Sequence, residues 1–163
     1  MNSQEIKLAL MEYFRFKRNY ICCSEFYLYS GRSDVVAYDY KNNLIDIEIK
    51  ISKSDFKKDF EKRKHIYYIN SDKYNKNYLF PNKFIFCVPR ELKEFALEYL
   101  KDYSMYGLLS IDQYNEKYFI YTEKRAKLLH KEKINKDKIL HDIIMRLNTE
   151  VITRTKEIIK LKK

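Results

Sequence analysis

Four residues in the first third of the chain have the types and spacing of a reactive site. They are Asp34, and then Asp46, Glu48 and Lys50 within Leu44-Ile-Asp-Ile-Glu-Ile-Lys-Ile51. Isoleucines at 45, 47, 49 and 51 alternate with the three charges, so a strand here has one apolar and one charged face. A similar alternation, "GRSDVVAYDY", comes just before it. Two carboxylates about 4 Å apart repel by roughly 4 kcal/mol at an effective dielectric of about 20, so something positive must offset them. Lys50 can do so, or a divalent cation. Carboxylate oxygens, water and a phosphate suit Mg²⁺, which keeps part of its hydration shell. Such an ion could activate a water and stabilise charge growing on a phosphodiester, with Lys50 positioning the water or steadying the anion. The plainer alternative is a solvated strand face carrying a cross-strand ion pair.

Which of the two applies depends on register. If Lys41-Asn42-Asn43 is a three-residue hairpin loop, Tyr40 pairs with Leu44 and Asp34 lies opposite Lys50, diagonal to Glu48. A two-residue loop at 42–43 sends Asp34 to the other face.

The surrounding pattern supplies the elements that must position these residues. Ser3 can cap a first helix with Ile6, Ala9, Leu10 and Phe14 on one face. Strands are expected over 20–29, 34–40 and 44–52, with a turn at Ser30-Gly31. "SKSDFKKDFEKRKHIYYI" reads as a helix capped by Ser52 or Ser54, with Phe56, Phe60 and Tyr67 inward and a basic outer side. "NSDKYNKNYLFPN" reads as loop, and "KFIFCV" as a central strand closed by Pro89. A helix over 90–103, strands at "GLLSI" and "YFIYT" around an Asp112–Lys117 turn, and an amphipathic helix from about Asn135 complete the chain. The last helix uses Ile139, Leu140, Ile143, Ile144, Leu147, Val151, Ile158 and Ile159. Helix, three strands, helix, strand, helix, two strands and helix imply a mixed sheet flanked by helices.

Composition bounds the function. At 163 residues and 45% apolar, the chain can bury one domain core. No run approaches the ~18 apolar residues of a membrane span, and the early acid in "MNSQEIKLALM" is unlike a secretory signal. Three cysteines, two of them adjacent, give neither a disulfide framework nor zinc-ligand spacing, and a reducing cytoplasm is the simplest setting. The net charge of +10 suggests an anionic partner, nucleic acid first; a Lys-, Asn-, Ile- and Tyr-rich composition from AT-rich coding explains it equally well. From Lys124 onward there are 13 basic and 5 acidic residues, eight of the ten net charges. With Gly31 and Gly107 the only glycines, glycine-rich phosphate loops and dinucleotide fingerprints are excluded.

Asp34, thirteen intervening residues, and then Glu48-Ile49-Lys50 resemble the bipartite site of the PD-(D/E)xK nuclease superfamily, whose core order αβββαβ is also the order read above. More narrowly, "EFYLYSGRSDVVAYDYKNNLIDIEIKISKSDFKKDFEKRKH" with "PNKFIFCVP" is similar to the MmcB-like DNA-repair nucleases and their phage relatives, over roughly residues 20 to 122. Ser33 stands where the superfamily pattern has proline. The resemblance implies a restriction-endonuclease-like α/β fold over 1–125; the last forty residues lie outside it, and their periodicity and charge read as a basic helical extension over 126–163 packed on the same domain. It implies a Mg²⁺- or Mn²⁺-dependent deoxyribonuclease in which Asp34, Glu48 and the Ile49 carbonyl bind metal and Lys50 serves the attacking water. Glu25 on the first strand, or less readily Glu12 on the first helix, could add a carboxylate.

Around this core, Ser52 could reach a phosphate or simply cap a helix. Lys53, Lys57, Lys58, Lys62, Arg63 and Lys64 could neutralise phosphates flanking a cleaved bond, or form a solvated helix face. Tyr67 and Tyr68 could stack on bases, although core packing is the default for tyrosines in so tyrosine-rich a chain. His65, His130 and His141 are isolated and read as surface or capping residues. The terminal helix packs on its own domain, clamps DNA, or pairs with a second copy of the chain. A binding-only module on the same fold, with DNA or RNA as partner, is the alternative to an enzyme.

Overall fold

In the computed structural model, which describes residues 1–29, 31–74 and 79–162, six strands form one mixed sheet in chain order. They are β1 (Ile21–Leu28), β2 (Gly31–Tyr38), β3 (Leu44–Ile49), β4 (Lys83–Pro89), β5 (Gly107–Tyr114) and β6 (Lys117–Lys124). The first three run antiparallel, β4 and β5 join parallel, and β6 returns antiparallel. The parallel steps need crossovers. α2 (Lys53–Asp59), α3 (Arg63–Ile69) and the short α4 (Ser71–Tyr74) supply the first, and α5 (Lys93–Tyr99), with 3₁₀ turns on either side, the second. α1 (Ser3–Glu12) opens the fold and α6 (Lys136–Leu161) closes it.

Both faces of the sheet are covered. α1 lays Ile6, Ala9 and Leu10, and the π-helical turn Tyr13–Lys17 after it lays Phe14, against Val35, Ala37, Ile45, Ile47 and Ile49, the isoleucine face of the alternation. On the other face, Phe56 of α2, Tyr68 of α3 and Ala96 of α5 pack on Phe84, Phe86 and Val88. Ile139 and Ile143 of α6 pack on Cys23, Val36 and Leu44. All six residues of β3 are therefore buried, including Asp46 and Glu48. The charged face is not a solvated edge.

Several sequence expectations are corrected. Asn2, not Ser3, caps α1, in a capping box with Glu5. The single helix expected after β3 breaks at Phe60–Lys62, where Lys62 is extended at ψ 138°, and the 90–103 helix is split by its 3₁₀ turns. The loop expected over 70–82 contains the helical turn α4; its residues 75–78, like Ser30 of the expected 30–31 turn, lie outside the described residues. The hairpin between β5 and β6 turns on Asn115 and Glu116, both at positive φ.

The correction that matters most is the register of β2 against β3. Tyr38 pairs with Leu44, Val36 with Asp46 and Val35 with Ile47. The connection is thus five residues, 39–43, rather than three. The reason is Asp39, whose buried carboxylate accepts from the Lys41 and Asn43 backbone N–H groups and from the Asn43 amide. Its own N–H donates to the Asn43 carbonyl, and Asn42 takes φ +64° to close the loop. The slip is by two residues, so the faces are kept. One step beyond Val35↔Ile47, Asp34 falls beside Glu48 instead of Lys50.

The terminal segment belongs to the same packed body. Leu129 joins the core beneath β4, and Asn82 ties it down by accepting the Leu129 N–H and donating to the Glu132 carbonyl. Asn135 caps α6 by accepting the Lys138 N–H. Only the first half of α6 buries its apolar residues. Ile144, Val151, Ile158 and Ile159 of the expected stripe are more than half exposed. No helix among the described residues is long and apolar enough to cross a membrane.

Candidate active site

Asp34, Glu48 and Lys50 meet at one wall of a cleft of ≈510 Å³ at the start of β2 and the end of β3, with the start of α1 and α2 on its rim. Asp34 is partly buried, and its Oδ2 accepts the Ile49 N–H at 2.8 Å. Burial and the neighbouring Glu48 charge both push the Asp34 carboxyl above its ordinary pKa. Glu48 is 3% exposed, and its Oε2 lies 3.2 Å from Lys50 Nζ. Burial alone would lower the Lys50 ammonium, yet the carboxylates of Glu48 and Asp59 outweigh it and hold the pKa above that of an ordinary lysine. The raised pKa favours the charged form, so Lys50 is suited to donate hydrogen bonds and stabilise negative charge.

The structure adds residues that spacing did not reveal. Asp59, at the end of α2 and 1% exposed, lies 2.7 Å from Lys50 Nζ. Lys64, expected on an outer helix face, is buried with Nζ 2.8 Å from Glu48 Oε1 and 4.8 Å above the Phe84 ring. His65, expected at the surface, is also buried and bridges Asp59 and Tyr106. Lys64 and His65 depend on the break at 60–62, which turns the start of α3 back toward β3 and Asp59. Sequence periodicity carries no mark of that break; the one available signal was an acid and a histidine six residues apart within a very basic stretch. Lys7 of α1 is a further unforeseen member: with Arg32 it ion-pairs Glu25 at the cleft rim. Glu25 sits at an interruption of the β1–β2 ladder at φ +55°, a conformation costing an L-residue about 1–2 kcal/mol. These two cations outweigh its burial and hold the Glu25 carboxyl below its usual range.

The other expected residues divide. Asp46 does not face the cleft: it is 1% exposed and accepts from the Ser33 hydroxyl at 2.5 Å and the Tyr68 hydroxyl at 2.7 Å. Tyr68 is thereby a core residue, the default reading for it, and Tyr67 packs edge-on against Tyr29 and Tyr74. Ser52 caps α2 by accepting the Asp55 N–H. Lys53, Lys57 and Lys58 are exposed on α2, the first two over the Phe95 ring. Lys62 stands half-exposed at the cleft rim, 2.5 Å from Asp59 and 3.6 Å from Glu48. Glu12 is exposed and is not brought to the cleft, and Arg63 is exposed as well. His130 is buried against the Phe80 and Pro81 carbonyls, correcting its surface reading, whereas His141 is exposed.

Among the described residues, no group of three or more His, Cys, Asp or Glu side chains is arranged to hold a metal ion. The smaller set of Asp34, Glu48 and the Ile49 carbonyl still has the hard oxygen chemistry that Mg²⁺ or Mn²⁺ takes when substrate phosphates and water complete the shell. Asp34 favours that fit, because its raised carboxyl receives one hydrogen bond from the described residues and a cation would offset the Glu48 charge beside it.

No family model matches the chain, and no curated protein matches it in sequence. Among solved structures, the chain is similar to a protein of unknown function from Silicibacter pomeroyi. The likeness covers 99% of this chain and 94% of that chain, with a TM-score of 0.62 and 18% identity. At that identity it establishes the fold alone, a mixed α/β sheet flanked by helices with a terminal helix.

Proposed function

We propose that this chain is a metal-dependent nuclease that hydrolyses DNA phosphodiester bonds at the Asp34, Glu48 and Lys50 cleft. The observation that carries the reading is the convergence of these three side chains on one wall, fixed by the β2–β3 register. It is also what the resemblance to the PD-(D/E)xK superfamily implies. Asp34, Glu48 and the Ile49 carbonyl would hold the cation, with Glu25 too tightly paired to Lys7 and Arg32 to join them readily. When bound, Mg²⁺ or Mn²⁺ supplies a more acidic water and offsets charge on the phosphate oxygens. Lys50, held charged, hydrogen-bonds the attacking oxygen or the developing anion. Lys62 at the rim and Lys53, Lys57 and Lys58 on α2 meet flanking phosphates. The proposal includes a reducing, cytoplasmic setting, on the ground that Cys22, Cys23 and Cys87 are buried free thiols.

One observation favours a second reading, a nucleic-acid-binding module without turnover: both Glu48 oxygens are already engaged by lysines. Supercoiled, linear, single-stranded and branched DNA, each with Mg²⁺ or Mn²⁺, separate the two. The nuclease reading expects metal-dependent cutting that falls about 10²-fold or more in Glu48→Ala and Lys50→Ala. Tight, salt-sensitive binding with no cutting of any substrate refutes it in favour of the module.

A further inference from the structure

We infer that Asp59 is a positioning residue, which aims the Lys50 ammonium at the cleft and is itself held in place by His65 and Tyr106. The catalytic consequence rests on the nuclease reading above; the geometry does not. Asp59 Oδ1 lies 2.7 Å from Lys50 Nζ, and Asp59 Oδ2 lies 2.9 Å from His65 Nε2. His65 Nδ1 is in turn 2.9 Å from the Tyr106 hydroxyl, which is almost fully buried. A neutral imidazole satisfies both contacts when Nε2–H donates to Asp59 and Nδ1 accepts from the tyrosine O–H. A buried relay thus runs Tyr106, His65, Asp59, Lys50, Glu48, from the entry to β5 out to the cleft wall.

Lysine is a flexible four-carbon stem with three rotatable donors. Left alone beside Glu48 it would fold onto that carboxylate. Asp59 offers it a second carboxylate, at 2.7 Å against 3.2 Å for Glu48, and Asp59 cannot follow the lysine because its other oxygen is fixed by an imidazole that a buried hydroxyl fixes in turn. Lys62 and Lys64, 2.5 and 3.5 Å from the Asp59 oxygens, add the cations that keep this carboxylate ionised. Stability alone is a poor reason for such a cluster, since well-packed apolar residues often replace buried ion pairs without loss. The relay ends on the two residues that open to the cleft, where a fixed ammonium has a use.

The test compares the full chain with Asp59→Asn, His65→Gln and Tyr106→Phe by two readouts. The first is the ¹⁵N signal of the Lys50 ammonium, assigned by its loss in Lys50→Arg. Slow proton exchange in the parent, lost in Asp59→Asn and faster in His65→Gln, is expected whether or not the chain cuts DNA. Exchange unchanged in both variants overturns the inference. The second is turnover: kcat falls about 10²-fold in Asp59→Asn and less in Tyr106→Phe, with KM for DNA unchanged. An unchanged kcat, or a loss confined to KM, overturns the catalytic role. An inactive parent sinks the nuclease reading and leaves the ammonium signal to decide the role of Asp59. Should Asp59→Asn fail to fold, His65→Gln and Tyr106→Phe carry both comparisons.

Discussion

Asp46 is buried between the Ser33 and Tyr68 hydroxyls, and burial, joined by the Glu48 charge, pushes its carboxyl up to about 6 against the restraint of Lys64. Because the folded form holds the proton more tightly than the unfolded chain, Asp46 favours folding fully below its ordinary value of 3.8. That contribution is lost as pH rises through about 6. Asp46→Asn should therefore flatten the difference in stability between pH 4 and pH 7 by on the order of 2–3 kcal/mol, read from urea melts of variant and parent across that window. A parallel pair of pH profiles would refute the assignment. Of the charged residues in the alternation, Asp34, Glu48 and Lys50 were legible because period-two spacing fixes which residues share a face. Asp46 was not separated from them, since the same spacing cannot say how far along the face a helix begins to cover it.

Elements differ in how much of their sequence they use. On α6, Ile143 is fully buried and Ile158 more than half exposed. Ile143→Ala should cost about 2–5 kcal/mol and Ile158→Ala less than about 0.5 kcal/mol in denaturant unfolding. A comparable cost at both sites would mean that something covers the outer stripe. At the start of β5, an added Cβ on Gly107 would lie 2.9 Å from both the Cβ and the backbone nitrogen of Ala126. Gly107→Ala should thus destabilise by about 1–3 kcal/mol, because backbone has to move rather than a side chain. Periodicity found the strands and long helices well, as amphipathic patterns do when one face meets a core. It missed the break after Asp59, where Phe56, Phe60 and Tyr67 keep a helical rhythm across a bend. The whole inner half of the charged cluster was lost with it.

Across the molecule, the +10 net charge implies binding to nucleic acid that weakens steeply with salt if the proposed function holds. Replacing Lys53, Lys57 and Lys58 together by glutamine should lower the slope of log affinity against log salt by about 2–3, with little change in kcat. Fluorescence anisotropy over a salt series measures it, and an unaltered slope would remove α2 from the contact surface. The fold class and element order were readable because each helix or strand declares its own pattern. The two-residue slip between β2 and β3 was not, because it is decided by one aspartate folding a loop around itself.

That loop separates its own length from the register beside it. Removing two residues from 40–42 would leave Tyr38 opposite Leu44 across a three-residue loop, with Asp34 still beside Glu48. A slip of the pairing by one residue would instead turn Asp34 toward α1 and bring Val35 to the charged face. The pairing of β2 with β3 is thus under tighter control than the length of the connector or the identity of its exposed residues.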